Sequence, residues 1–125
     1  MRFLLIGNNP ALTPAVAAAI VRHGHRTATP ESIHLTDATP KDELLKAAQK
    51  AQLDLVTADP DVAEAPFKHD FHFQRSVIFL QLAGGDVEQD DAIDRLFTRY
   101  KAPKPKRLYT VTENRVKVRQ LPGSI

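Results

Sequence analysis

The 125-residue chain is 42% hydrophobic and 26% charged, the balance of an ordinary globular domain large enough for one core. It has no cysteine, which excludes disulfides, thiolate metal ligands and a cysteine nucleophile, and fits a reducing cytoplasm, the compartment expected. The formal charge of +2 hides an asymmetry: residues 1–94 carry 8 Lys and Arg against 14 Asp and Glu, whereas residues 95–125 carry 9 against Glu113 alone. An acidic body with a basic C-terminal quarter points either to a polyanionic partner or to an unevenly charged solvated surface.

Residues 2–7 form a continuous apolar run, read as a strand buried on both faces. The run is too short for a signal segment or a membrane span, so no membrane association is expected. Asn8, Asn9 and Pro10 break it. Thr13 then reads as an N-cap with Pro14 at the first helical position, and Leu12, Val16, Ile20 and His23 share a stripe. Gly24 ends this helix as a left-handed C′ residue. A short extended run over 25–29 follows, then a loop with one helical turn at 31–34. Thr39, Pro40, Lys41 and Asp42 repeat the helix-start pattern. The helix is expected over 41–52, with Leu44, Leu45 and Ala48 facing inward.

Leu53 to Thr57 reads as a buried strand stopped by Pro60, which leaves Asp59 and Asp61 just past its C-terminal end. Residues 60–74 read as irregular, because Pro66 interrupts the only helical turn there; Phe67, Phe71 and Phe73 anchor the segment. A strand over 75–82 and a helix over 87–100 capped by Asp86 come next. Residues 101–107 form a basic, proline-containing linker, and 108–120 a hairpin turning at Glu113 and Asn114. Val116 and Val118 alternate there with Arg115, Lys117 and Arg119. The expectation is a single domain over 1–125: an α/β, three-layer fold with a mainly parallel central sheet flanked by helices and closed by the C-terminal hairpin.

Several features taken together resemble a known family. They are the apolar first strand followed by Asn8, the helix end Arg22-His23-Gly24-His25, and the second helix with Asp42-Glu43-Leu44-Leu45. The strand end Val56-Thr57-Ala58-Asp59 with Asp61, and the hairpin from Thr110 to Arg119, complete the set. Nearly the whole chain is similar to the small PIN-like proteins identified as predicted nucleases of toxin–antitoxin systems. The resemblance implies a Mg²⁺- or Mn²⁺-dependent endoribonuclease fold, with carboxylates from strand and helix ends converging on the metal, RNA as substrate and an antitoxin-like protein as partner. A carboxylate-held metal activates water and neutralises phosphate charge, which is why such a site needs acids.

Carried over residue by residue, the resemblance makes Asp59 and Asp61 the retained catalytic and metal-binding acids. The chain departs from the pattern at two other acids. The first strand of the family ends Asp-Glu-Asn, where this chain has Ile6, Gly7 and Asn8, and the acid that opens the second helix falls on Lys41. Asp42 and Glu43 are candidates for a relocated third acid, and Asn8 and Thr57 for a polar pocket. With these departures the expectation is a domain whose cleavage is lost or weak and which binds RNA or a protein. One alternative is an active endoribonuclease using Asp59, Asp61 and Asp42 or Glu43.

Other residues are read beside this. Gly7-Asn8-Asn9 between strand and helix suggests a second alternative, a small nucleotide- or phosphate-binding domain, although one glycine stands where the dinucleotide fingerprint needs three. Lys101, Lys104, Lys106 and Arg107, with Arg115, Lys117 and Arg119 on the hairpin, are candidate nucleic-acid contacts; the competing reading is a solvated linker and a charged edge strand that blocks aggregation. His69, Asp70 and His72 have metal-ligand chemistry but read as an exposed loop.

Overall fold

A computed structural model describes residues 1–7, 11–36, 38–68 and 71–122. The chain runs β1 (Arg2–Leu5), α1 (Pro14–Arg22), β2 (Arg26–Ala28), a 3₁₀ turn (Pro30–Ile33), α2 (Lys41–Lys50) and β3 (Asp54–Thr57). It continues through α3 (Pro60–Lys68), β4 (Val77–Leu80), α4 (Asp86–Arg99), β5 (Arg107–Val111) and β6 (Val116–Gln120). The six strands form one sheet in the order β2-β1-β3-β4-β5-β6, parallel throughout except for the β5–β6 hairpin.

Side-chain alternation along the central strands explains the three layers. Phe3, Val56, Ile78, Leu80 and Tyr109 point to one face and pack with Val16, Ile20, Ile93, Leu96 and Phe97 from α1 and α4. Leu4, Leu55, Val77, Phe79 and Leu108 point to the other and pack with Leu44, Leu45, Ala48 and Ala63 from α2 and α3. Strands buried on both faces have no polar alternation to show, which is why they read as unbroken apolar runs.

Three local expectations are corrected. Residues 60–68 are a helix, not irregular chain: Pro60 is its first residue, and the Asp59 carbonyl accepts from the Val62 and Ala63 amides at 3.1 Å each. Pro66 sits inside it, at an intrinsic cost of about 3 kcal/mol, offset by the burial of Val62, Ala63, Ala65 and Pro66 itself. The cap of α2 is Pro40, one residue later than expected, because the Thr39 hydroxyl instead accepts the Thr36 amide at 2.9 Å. Asp86 lies within α4, whose N-cap is Gly85; the Gly85 amide donates to Glu88 Oε2 at 2.9 Å. The Gly24 turn, at φ +83°, and the hairpin are as expected. Phe73 is buried, and Phe67 and Phe71 pack on the α2–α3 layer.

Among the described residues no helix is long and apolar enough to cross a membrane.

Candidate functional site

The strand order reverses at β1. The chain moves outward to β2 on one side and to β3, β4 and β5 on the other. Such a switch point leaves a crevice beyond the carboxyl ends of the two diverging strands. A pocket of about 650 Å³ occupies this place, walled by Ile6 and Gly7 after β1, Thr13 at the start of α1, Lys41 on the first turn of α2, and Asp59 after β3. Leu5, Leu12, Leu35, Leu44 and Val62 supply an apolar lining, and Glu31, Thr36 and Thr39 a polar one.

Asp59 is held in place by its backbone and side chain together. Its amide donates to Thr57 Oγ1 at 3.0 Å, and its Oδ1 accepts the Asp61 amide at 3.0 Å, capping α3. Gly7 closes over this turn at φ +121°; a Cβ there would stand 2.6 Å from Thr57 Oγ1 and 2.8 Å from the Asp59 Cβ. The backbone at position 7 therefore excludes the Glu that the family pattern places there.

The candidate acids separate. Asp59 lines the pocket, whereas Asp61, Asp42 and Glu43 are not among its walls. Asp61 and Glu43 are exposed and Asp42 is half-buried, each on the first turn of a helix where a carboxylate suits the macrodipole. Thr57 is fully buried and accepts from the Asp59 amide rather than facing the pocket. Asn8, Asn9, Asp37, His69 and Asp70 lie outside the described residues. Among the described residues no group of three or more His, Asp or Glu is placed to hold a metal ion. Among the described residues the pocket walls do not fit Mg²⁺ or Mn²⁺: their carboxylates are Asp59 and Glu31 alone, Asp59 Oδ1 already caps α3, and the cationic Lys41 lines the same pocket.

The phosphate reading of the α1 start also meets an obstacle. The Thr13 amide and hydroxyl both donate to Gln89 Oε1, at 3.0 and 3.2 Å, and Pro14 has no N–H to offer. Lys41 is the one cationic side chain among the described pocket walls.

The basic candidates are dispersed. Lys101 and Lys104 are exposed in the α4–β5 connection, and Lys106 and Arg107 are half-buried beside it. Arg115, Lys117 and Arg119 are exposed on the hairpin; Arg119 stacks over the Phe67 ring at 3.9 Å and lies 3.9 Å from Glu64.

Two polar residues were missed by sequence reasoning. Asp54, 2% exposed at the start of β3, accepts from Arg75 Nη2 at 3.0 Å and from the Ser76 amide and hydroxyl at 2.8 Å each. An aspartate inside an apolar strand is the signal that was available, since Asp is depleted in strands unless paired. Gln89, buried in the first turn of α4, gave no signal, because its partner Thr13 is remote in sequence.

Fold and site together define an α/β protein with a ligand-sized pocket at the carboxyl edge of a mostly parallel sheet. No family model, no curated protein and no solved structure matches the chain.

Proposed function

We propose that the chain is a PIN-like domain whose metal-dependent nuclease site has become a metal-free binding pocket. One observation carries this reading. Ile6, Lys41 and Asp59, three of the positions at which the family resemblance expects acids, come from three separate segments and line the same pocket, while Asp61, another of them, is not among its walls. Their present identities are apolar, cationic and anionic, so the pocket keeps the position of a nuclease site without its charge. The Lys41 ammonium supplies one positive charge to an anionic group, but it does not generate hydroxide from water as a divalent cation does.

The ligand that suits these walls is a small molecule with a phosphate or carboxylate toward Lys41 and an apolar body against Leu12, Leu35 and Val62. The volume, about 650 Å³, is within the range of small-molecule sites. First-turn acids Asp42, Glu43, Asp61, Asp86 and Glu88 stand at the helix starts on this end of the molecule. Their summed field opposes a long polyanion far more than a single small acid.

Thermal melting and an RNA-cleavage assay test the reading. Nucleoside monophosphates at millimolar concentration should raise the melting temperature of the wild type, since a ligand selective for the folded state stabilises it. The rise should vanish in Lys41→Glu and survive EDTA. Manganese-dependent RNA cleavage by the wild type, abolished in Asp59→Asn, would overturn the proposal.

A further inference from the structure

In a parallel α/β sheet the helices run back against the strands, so strand starts and helix ends share one face of the molecule. This chain places cations on that face from both sources. Arg2 and Arg26 open β1 and β2 as register partners, and Lys50 lies in the last turn of α2. The α4–β5 connection adds Lys101, Lys104 and Lys106. Hydrogen bonds show that these segments meet. Arg2 Nη2 donates to the Ala51 carbonyl at 2.6 Å, the His25 ring bonds the Lys101 carbonyl at 3.0 Å, and the Lys106 amide donates to the Arg75 carbonyl at 3.2 Å.

Among the described residues, acids near this end are already committed elsewhere. Asp54 is buried against Arg75, and Asp90 and Asp94 hold Arg22, each at 2.8 Å. Among the described residues no carboxylate lies in ion-pair range of Arg2, Arg26, Lys50, Lys101, Lys104 or Lys106. Three of the six, Arg2, Arg26 and Lys50, are separated widely in sequence from the basic linker and from one another, so the sequence asymmetry alone shows only part of the face. Among the described residues the molecule is thus polarised along its strands, with helix-start acids on the pocket side and cations without a carboxylate partner at the opposite end.

We propose that this amino-terminal end of the sheet is a docking surface for a nucleic-acid strand, held through its phosphates by Arg2, Arg26, Lys50, Lys101, Lys104 and Lys106. The shape of the charge favours a linear polyanion over a compact one. The cations extend across the strands from β2 to β5, a row of roughly 19 Å at ordinary strand spacing. With a phosphate about every 3.4 Å along one strand of a duplex, that row meets about five phosphates. The surface is independent of the pocket and needs no metal and no chemistry.

The test uses the full chain and a fluorescently labelled 12-nucleotide oligouridylate, read by anisotropy at 50 and 200 mM salt. About five phosphate contacts predict a log–log salt slope of about −3.5 and a loss of about a hundredfold in affinity between the two salts. Changing Lys101, Lys104 and Lys106 together to Glu should weaken binding at least tenfold and reduce the slope by about 2. The milder pair Lys101→Gln and Lys104→Gln should reduce it by about 1, which keeps the test decisive if the triple variant folds poorly. Lys41→Glu, in the pocket, should leave binding unchanged. Absence of binding at 50 mM salt would overturn the proposal, as would equal weakening by Lys41→Glu. An oligoglutamate of the same length that competes as tightly as the RNA would also overturn it, and would point to an acidic protein segment instead.

Discussion

Gln89 Oε1 accepts both the amide and the hydroxyl of Thr13, so one side chain on α4 caps the start of α1. Thr13 has the extended backbone of an N-cap but makes no side-chain bond to its own helix. The cap is supplied across the layer, which ties the two helices covering one face of the sheet. Gln89→Ala leaves two half-buried donors without their acceptor. Urea unfolding should show a loss of about 2 kcal/mol with an unchanged m value. A loss below a few tenths would show that water replaces Gln89 at no cost.

Asp54 and Arg75 close the other end of the sheet. The carboxylate is 2% exposed and accepts three hydrogen bonds from two adjacent residues, Arg75 and Ser76. Arg75→Ala leaves a buried carboxylate without its cation, a change that destabilises by about 3–5 kcal/mol where pairs are fully buried. Arg75 is about a third exposed on its side chain (32%), so water screens part of the effect and the lower end, about 3 kcal/mol, is expected from urea unfolding. Asp54→Asn should cost less, because the amide oxygen still accepts from Ser76.

His25 gives the fold a pH dependence. An ammonium only donates and a carbonyl only accepts, so the contacts of its Nδ1 with the Met1 amine (3.3 Å) and of its Nε2 with the Lys101 carbonyl fix a neutral ring protonated on Nε2. Burial against Phe3 and Phe97 holds the imidazole below its ordinary value of 6.5, and the Met1 ammonium and His23 act in the same direction. A histidine lowered in the folded state binds its proton more readily when unfolded. The stability it contributes is therefore complete above the ordinary value and is lost as pH falls through the lowered one. Urea midpoints should fall between about pH 7.5 and pH 5, and the fall should be smaller in His25→Gln.

Much of this architecture was legible because its signals are local. Val77-Ile78-Phe79-Leu80 announces a strand buried on both faces, and Pro14 and Gly24 bracket α1. The helix α3 was obscured by Pro66, whose propensity penalty is overridden by tertiary burial that a single sequence does not reveal. The site was half legible. The carboxylate at the end of β3 was recognisable, but which first-turn residue of α2 reaches the pocket depends on helix phase. A one-residue step turns a side chain by about 100°, and the structure selects Lys41 over Asp42. Gly7 shows the same limit from another side: nothing in its neighbours reveals that a Cβ would strike Thr57 and Asp59. The basic end was least legible, because Arg2, Arg26 and Lys50 join the α4–β5 linker only through strand order.

The convergence of Ile6, Lys41 and Asp59 makes the proposed ancestry testable by reversal. If the pocket is a nuclease site emptied of its acids, restoring them should restore its affinity for a divalent ion. Ile6→Asp with Lys41→Asp removes the competing ammonium and sets three carboxylates around one cavity, the oxygen-rich environment that Mn²⁺ and Mg²⁺ require. The double variant alone will be less stable, since like charges repel and an apolar wall is lost. Manganese should offset that loss: at 100 times the dissociation constant, binding only to the folded state adds about 2.7 kcal/mol, read as a rise in melting temperature. The wild type should show no such rise, and neither should the double variant carrying Asp59→Asn. A double variant that folds, by circular dichroism, and still ignores manganese would mean that these three positions do not share a metal-binding geometry. The PIN-like reading of the pocket would then be wrong, whatever the nucleic-acid affinity of the opposite end.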